Sequence, residues 1–519
     1  MLIEALLATT FVAAFVVLVA PEKWAPKLGL AGSLLPLAGS IWMYLQFDGD
    51  GNALLDGGTL AFETNAAWLS AAGYELRWFV GVDGISLPLV ILTGLLTPLA
   101  ILAAWTPIDE RKSQFYALVL FIEAALLGVF VALDFFVWFV FWEAVLIPMY
   151  LLIAVWGGPR RKYAGMKFLV YTNVASLLMF GAFVALVFGL GDQVSSFALP
   201  EIAQALERGA LEAVDGTSQD PYPGIDAGTL KLVVFVAMFA GFGVKVPVVP
   251  LHTWLPDAHV EAPTPASVIL AGALLKMGTY ALLRFNFTML SGVAADLAVP
   301  IAVVAVVSVV YGAVLALAQQ DLKRIVAYSS ISSMGYVILG LIAYTTYGIG
   351  GATFQMVSHG LLSGLLFMSV GVIYNVTHTR MVGDLSGIAD RMPVTAAVFV
   401  AGAFGYMGLP LMSGFAAEVF VFLGSFGSTV LPDAPLFTAA AMFGIVIVAG
   451  YLLFAMQRAL FGEYRVDTDY DAHPAATHDV AALVIAVLLV IALGVVPELL
   501  YEMIQGAANP IVGLFGGGA

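Results

Sequence analysis

Cysteine is absent from the 519 residues, and charged residues make up only 11% of the chain. Without thiols the chain forms no disulfides and offers no thiolate ligands to zinc or an iron–sulfur cluster, so no redox centre is expected on it. The net charge of -15 argues against nucleic acid as a partner. Apolar residues are abundant, at 61% with a mean hydropathy of +0.99, and a soluble domain cannot cover itself with polar groups at that ratio.

Hydrophobic runs long enough to cross a hydrocarbon core of about 30 Å recur along the whole chain. Because lipid offers the backbone no hydrogen-bond partners, the fold is predicted to be an all-α integral membrane protein. The first run is kept as a membrane helix because Glu4 stands where a signal peptide has a basic start. About 14 transmembrane helices, here named spans 1 to 14, are predicted at 2–20, 29–46, 83–105, 115–133, 136–156, 164–190, 230–250, 263–285, 296–318, 322–345, 349–376, 394–424, 435–461 and 479–500.

Basic residues set the orientation, because cytoplasmic loops collect Lys and Arg. Fourteen of the twenty fall in alternate predicted loops, including Lys323 and Arg324, which we interpret as snorkelling side chains outside any pathway. The bias predicts both termini on the periplasmic side, and the acidic outer loops and abundant Ala and Gly suggest a bacterial cytoplasmic membrane. Four basic residues fall on the outer side: Arg77, Arg208, Lys231 and Arg284.

The segments between spans are interpreted without a functional role. The outer loops 47–82 and 191–229 are acidic and contain Gly and Pro, which is typical of solvated loops. The cytoplasmic loop 462–478 holds Asp and His residues, but an exposed polar linker explains them better than a metal site. The loop 252–261 also has metal-ligand residue types, yet its histidines lack a tight ligand spacing, so no metal is predicted there.

Spans 4–8 and 9–13 are predicted to form two five-helix repeats, and the odd count inverts the second repeat relative to the first. Inverted repeats are common in transporters. The fourth span of each repeat is broken by proline, Pro247 and Pro250 in span 7 and Pro410 in span 12. Matching breaks favour a transport pathway, although proline also occurs in membrane helices without function. The predicted domains are 1–114 (spans 1–3 with an acidic outer loop), 115–290 and 291–461 (the two repeats), and 462–519 (a cytoplasmic loop, span 14 and the outer C-terminus).

Ionisable side chains inside the spans are the candidate site. Each charge at a helix centre costs about 2.5–3.5 kcal/mol on insertion scales, so retained charges are expected to be functional or paired. Glu123 in span 4 is a weaker candidate. The five main candidates are Glu143 in span 5, Lys245 in span 7, Lys276 in span 8, His359 in span 11 and Glu418 in span 12.

The signs of these residues suggest a proton relay. If Glu143 pairs with Lys245, separating the two would weaken the hold of Lys245 on its proton and send that proton to Lys276. Histidine titrates near neutrality, so His359 suits a position between Lys276 and Glu418. One alternative is that Glu143 and Lys245 form an ion pair that only fixes helix packing. Another is that His359 only hydrogen-bonds a backbone carbonyl of a neighbouring helix.

The motifs around these residues resemble the antiporter-like membrane subunits of respiratory complex I, the proton-translocating NADH:quinone oxidoreductase. The long signature comprises GFGVKVP at 241–247, HTWLPDAHVEAPTPAS at 252–267 and LLKMGTY at 274–280. The segments GVDGIS at 81–86, FWEAVLIPMY at 141–150 and GLPLMSGFAAE at 408–418 look most like the chain M, or subunit 4, branch of the family.

The resemblance covers roughly residues 80–460. It implies that Glu143 and Lys245 are the coupling pair, Lys276 the central proton carrier and Glu418 the outlet residue. It also implies other membrane-arm subunits as partners, including related antiporter-like subunits. No cofactor is expected on this chain, whereas partner subunits are expected to carry FMN and iron–sulfur clusters and to bind quinone.

Two other functions remain open. One is a subunit of a multi-subunit sodium/proton antiporter, whose members share the same helical signature, and Glu143, Lys245 and Glu418 would suit sodium exchange as well. The other is a structural subunit whose buried charges only hold the helices together. Sodium uptake driven without NADH would favour the first, and an assembly defect in Lys276→Ala as large as its transport defect would favour the second.

The chain departs from the family pattern at Ser333, where many relatives carry a histidine. Water held by Ser332, Ser333 and Tyr336 is expected to replace this relay member. We therefore expect Ser333→His to leave NADH-driven proton uptake by membrane vesicles intact. A large loss of uptake in this variant would show that the gap is filled in another way.

Overall fold

The computed structural model describes residues 1–55, 57–71, 73–215, 221–222 and 224–515. Thirteen helices in this part of the chain are individually long and apolar enough to cross a membrane. They confirm the predicted all-helical membrane fold. In chain order they are Leu2–Val19, Ala25–Leu45, Ser86–Ala104, Lys112–Val131, Phe135–Trp156, Arg161–Leu190, Ala227–Lys245, Thr264–Met289, Ala298–Leu317, Leu322–Ile342, Thr346–Thr377, Ala434–Ala459 and Thr477–Val495.

These helices are spans 1–11, 13 and 14. The remaining predicted span, span 12, is present as two shorter apolar helices, Pro393–Tyr406 and Ser413–Phe426. The chain turns between them at Gly408–Pro410, because proline cannot donate the next backbone hydrogen bond of a helix. Span 11 is the central packing element, since it contacts the second half of span 12, span 10 and the broken span 8.

Span 7 ends at Lys245, directly before Pro247. The chain then forms a turn and a short helix, Trp254–Glu261, before span 8 begins. The indole of Trp254 donates to the Val244 carbonyl at 2.8 Å, so a carbonyl near the break has a partner. The proline breaks predicted in spans 7 and 12 are therefore both present.

Two further spans are irregular at places that the sequence pattern did not predict. Span 5 consists of Phe135–Ala144 and Leu146–Trp156, and Pro148 lacks the N–H that the carbonyl of residue 144 would accept. Span 8 contains two π-helical stretches, Leu270–Leu274 and Leu282–Met289, which interrupt the regular hydrogen-bond ladder. π-Helical turns of this kind are frequent at functional sites.

The outer loops are structured, which corrects their interpretation as plain solvated loops. Loop 47–82 contains two antiparallel strands, β1 (Ala61–Ala71) and β2 (Tyr74–Val82). Loop 191–229 contains the helices Leu199–Glu207 and Ala210–Asp215. The two loops are joined by a hydrogen bond from the Glu75 amide to the Ser195 carbonyl at 2.9 Å. The segment after span 14 also contains a helix, Glu498–Gly513.

Arg284, counted above among the outer basic residues, is instead only 1% exposed. Span 8 continues to Met289, past its predicted end, so the guanidinium lies inside the protein. It bonds Asp83 Oδ1 at 2.5 Å and lies over the ring of Tyr280, 5.1 Å from the centroid. Burial alone would raise the pKa of Asp83, but the charge and hydrogen bond of Arg284 hold this pKa below its usual value.

This ion pair and its neighbours connect four segments of the chain. Asp83 also accepts hydrogen bonds from the backbone amides of Ala53 and Ser86, and so ties the outer loop to the start of span 3. Asn52 donates to the Ala507 carbonyl at 3.0 Å in the C-terminal helix. The pair therefore holds span 8, span 3, the outer loop and the C-terminal helix together.

Removal of one partner of this pair should be strongly destabilising. We expect Arg284→Ala to lower stability by about 3–5 kcal/mol, because the Asp83 carboxylate would stay buried without its cation. The measurement is the thermal unfolding temperature of the purified complex. Arg77→Ala is the control, since Arg77 pairs with Glu75 at the protein surface and its loss should cost at most about 1 kcal/mol. Equal shifts in the two variants would contradict the prediction.

Candidate functional site

Lys245 lies at the end of span 7 and is 1% exposed. Its Nζ donates to the Trp142 carbonyl at 3.2 Å and sits 3.8 Å from the centroid of the Trp142 ring. The indole of Trp142 is held in turn by Ser176 at 2.9 Å. A carbonyl and an aromatic face both stabilise an ammonium group. Span 5 therefore supplies the environment of the Lys245 charge.

Glu143 follows Trp142 in span 5 and acts electrostatically on Lys245. The two side chains form no ion pair within 4.0 Å in the described structure, where Lys245 bonds the Trp142 backbone instead. The Glu143 carboxylate is half-buried, and its Oε1 has no hydrogen-bond partner among the described residues. The predicted pair is thus a pair of neighbours without direct contact in this structure.

Lys276 and His359 are in direct contact. Lys276 is completely buried, and its Nζ lies 2.6 Å from Nδ1 of His359 and 2.6 Å from the Ala271 carbonyl. Ala271 belongs to the first π-helical stretch of span 8, where the regular helical pairing is interrupted. Whichever of the two side chains carries a proton can donate to the other. Two positive charges at this distance would repel strongly, so the contact is suited to holding one proton.

Spans 8 and 11 approach closely at this contact. A methyl group added to Gly360, the residue after His359, would lie 2.7 Å from the carbonyl oxygen of Gly272. The absence of a side chain at Gly360 therefore allows the two backbones to approach. The other ring nitrogen of His359, Nε2, has no hydrogen-bond partner in the described part of the chain.

A group of buried serines and tyrosines, here called the hydroxyl cluster, lies between His359 and Glu418. The ring of Tyr406 packs edge-on against His359 with centroids 5.7 Å apart, and its hydroxyl faces Ser329, Ser330 and Ser363. Tyr336 and Tyr451 lie within electrostatic reach of Glu418. Ser333, where relatives carry histidine, is buried beside this cluster in span 10. The hydroxyl cluster comprises Ser329, Ser330, Tyr336, Ser363, Tyr406 and Tyr451.

Glu418 lies in the second half of span 12 and is 5% exposed. Its Oε2 lies against Gly408 at the break, where an added methyl group would approach it to 2.3 Å. This oxygen has no hydrogen-bond partner within the described ranges. A buried carboxylate oxygen without a partner is costly in its charged form, which favours a protonated or hydrated state.

Glu123, the weaker candidate, is completely buried in span 4. It faces Thr97 of span 3. Neither carboxylate oxygen has a geometric hydrogen-bond partner in the described structure.

The interpretation of Lys323 as a snorkelling side chain is wrong. Lys323 is 5% exposed, and its Nζ donates to the Ala262 carbonyl between the short helix and span 8. His259 is also completely buried, stacked on Phe367 with ring centroids 4.5 Å apart. Neither contact could be predicted from the sequence pattern, since Lys323 stands at a span end and His259 in a predicted loop.

The acidic residues of loop 252–261 bind basic side chains. Asp257 lies 2.8 Å from Lys167 and 3.3 Å from both Arg160 and Arg324. Glu261 accepts the backbone amide of Arg160 at 2.8 Å. These ion pairs join the loop to spans 6 and 10 on one face of the protein.

Comparison with known proteins places the chain in a family. Residues 132–447 match the family model described as NADH:quinone oxidoreductase/Mrp antiporter, TM, and residues 60–129 match NADH-ubiquinone oxidoreductase chain 4, amino terminus. NAD(P)H-quinone oxidoreductase chain 4 3 of Trichormus variabilis is 39% identical over 510 residues, covering 96% of this chain and 89% of that protein. F(420)H(2) dehydrogenase subunit M of Methanosarcina mazei is 37% identical over 503 residues, covering 96% and 94%.

Two solved structures have folds similar to that of this chain. A chain of respiratory complex I from Thermus thermophilus with bound NADH superposes with a TM-score of 0.84 at 28% identity, and each chain is covered completely. A chain of the Mrp complex from Dietzia sp. DQ12-45-1b gives a TM-score of 0.81 at 20% identity, covering 99% and 98%, which is a likeness of fold. With both family models matched and relatives aligned over almost its full length, this chain belongs to the NADH:quinone oxidoreductase/Mrp antiporter transmembrane family, as a membrane subunit of the chain 4, or M, type.

Proposed function

We propose that this subunit carries protons across the membrane through Glu143, Lys245, Lys276, His359 and Glu418, coupled to quinone reduction elsewhere in its complex. The observation that carries the proposal is the 2.6 Å contact between Lys276 Nζ and His359 Nδ1, with both side chains buried. At this distance a proton can pass from one nitrogen to the other while both side chains stay in place. This arrangement suits transfer better than storage or packing.

Coupling would begin at Lys245. Its ammonium is held by a neutral carbonyl and an aromatic ring, and the Glu143 charge adds a longer-range attraction. A movement of Glu143 would therefore change the hold of Lys245 on its proton while the local contacts persist. The Lys245–Val246 backbone packs against Gly278 of span 8, so a proton released there is next to the helix that carries Lys276.

Transfer from His359 to Glu418 would use the hydroxyl cluster. Hydroxyl groups both donate and accept hydrogen bonds, so together with water they can order a chain along which a proton passes. The Ser332 Oγ atom is buried without a hydrogen-bond partner in the described structure, which suits a site for such water. Glu418 would then accept the proton and release it at the outlet.

The remaining features complete the proposal. The two five-helix units, 115–290 and 291–461, are proposed as inverted repeats around the relay, with Glu123 as a further carrier within the first. FMN, iron–sulfur clusters and quinone are proposed for partner subunits. The membrane is proposed to be the bacterial cytoplasmic membrane, with both termini on the periplasmic side.

The sodium/proton antiporter alternative has weaker support. Likeness to the Mrp complex is a likeness of fold at 20% identity, whereas relatives named as quinone oxidoreductase chain 4 are 39% identical over 96% of the chain. The buried basic contact between Lys276 and His359 also suits protons better than sodium, because metal cations require oxygen ligands in place of ammonium groups.

The relay predicts separable effects on pumping and assembly. In inside-out membrane vesicles, we expect Glu143→Gln and Lys276→Ala to abolish most NADH-driven proton uptake and quinone reduction. NADH:ferricyanide activity, which reports assembly, should persist. Lys231→Ala is a matched control, because Lys231 lies at the opposite end of span 7 and pairs with Glu212 near the surface. Persistence of pumping in both relay variants would show that the buried charges are structural.

The close approach of spans 8 and 11 can be tested separately. We expect Gly360→Ala to reduce coupled proton uptake by up to about a hundredfold, because the added methyl group pushes His359 away from Lys276 by a fraction of an ångström or more. Gly181→Ala in span 6 is the control, since nothing lies within 4 Å of the added methyl group there. Normal uptake in Gly360→Ala would mean that the 2.6 Å contact is not needed for transfer.

A further inference from the structure

A groove on the surface of the protein runs between spans 1, 4 and 5. It has a volume of about 660 Å³, within the range of small-molecule and lipid-sized sites. Its walls are apolar side chains from all three spans. They include Phe11 and Phe15 of span 1, Leu118 and Phe121 of span 4, and Leu151 and Val155 of span 5.

One end of this groove is polar. Arg111 and Gln114 line it there, together with the indole of Trp156. Span 1 ends at Val19, span 4 begins at Lys112 and span 5 ends at Trp156, so three span termini meet at this end. Coincident termini mark the boundary between the hydrocarbon core and the lipid headgroups, and tryptophan is enriched at that level.

Arg111 stands at the start of span 4. It precedes span 4 in the left-handed conformation, with φ of 52°, which is uncommon for a residue other than glycine. Acidic residues stand beside it in the sequence, yet Asp109 pairs with Lys112 at 3.4 Å. Arg111 itself forms no ion pair with any residue that the structure describes. Its guanidinium is therefore left available at the mouth of an apolar groove.

We propose that this groove binds an anionic phospholipid, with an acyl chain along the apolar walls and the phosphate at Arg111. Guanidinium binds phosphate oxygens through two parallel hydrogen bonds, and the Gln114 amide is placed to bond the glycerol ester region. A partner subunit packed on this face would instead have to supply an acid for Arg111 at the headgroup level. The combination of an apolar channel and one unpaired cation at the membrane boundary fits a lipid.

The test uses the whole complex reconstituted in phosphatidylcholine vesicles that contain a phosphatidylglycerol with a photoactivatable acyl chain. We expect lipid adducts on the peptides that carry Leu118 and Leu151. Arg111→Gln should lower this labelling about fivefold, the effect of one basic side chain near a membrane surface. Arg111→Lys should retain most of it. Lys162→Gln is the matched control, since it removes an exposed charge in the first turn of span 6, and Lys162 does not line the groove.

A second variant acts on the groove itself. Val155→Phe should fill the apolar channel and lower labelling while Arg111 is unchanged, and subunit composition measured by mass spectrometry checks assembly of every variant. Three results would overturn the proposal: equal labelling by a photoactivatable phosphatidylcholine, labelling that is unaffected by both Arg111→Gln and Val155→Phe, or a photo-crosslinker at position 155 that couples to another subunit instead of lipid.

Discussion

The structure depends on how positive charge is stabilised where water is scarce. Three buried lysines each donate to a backbone carbonyl: Lys245 to Trp142, Lys276 to Ala271 and Lys323 to Ala262. In a regular helix each carbonyl already accepts a backbone amide, so a carbonyl at an interruption or an end of a helix is the one left without that partner. Trp142 lies in the last turn before the break in span 5, Ala271 lies in a π-helical stretch, and Ala262 follows the short helix. The three lysines thus bond carbonyls that lie at irregular places in the helices.

These lysines donate to carbonyls and not to carboxylates, and this difference is relevant to function. A hydrogen bond to a charged group contributes about 1.5–3 kcal/mol, whereas breaking a buried ion pair costs about 3–5 kcal/mol. A lysine held by a carbonyl can lose its proton without leaving a buried anion behind. Arg284 and Asp83 form the contrasting case, because arginine does not deprotonate in proteins, and a carboxylate partner then makes a permanent anchor. The protein uses the first kind of contact along the proposed relay, and it uses the second kind to join span 3, span 8 and loop 47–82.

Hydropathy and proline positions predicted the spans and the breaks of spans 7 and 12, because both properties are local in sequence. They also selected Lys276 and His359, and the structure brings these two into contact. The burial of Arg284 and Lys323 could not be predicted in this way. Both residues stand near span ends. A basic side chain there can face lipid headgroups, water or protein with the same local sequence, and which of these it meets depends on the segments that pack against it in the folded protein. The π-helical stretches of span 8 could not be predicted either, because no proline marks them in the sequence.

The hydroxyl cluster limits the places where a proton can be held between His359 and Glu418. A histidine between His359 and Glu418 would hold a proton as a cation, but serine and tyrosine hydroxyls gain no charge near neutral pH. In the proposed relay, a proton crossing the cluster would therefore have no stable position until it reaches Glu418. In the proposed relay, a proton in this half of the protein would then be held at two places, the Lys276–His359 contact and the Glu418 carboxylate. Because these sites would exchange one proton, protonation of Glu418 would empty the contact, and the next proton could then enter from Lys245 without meeting a like charge.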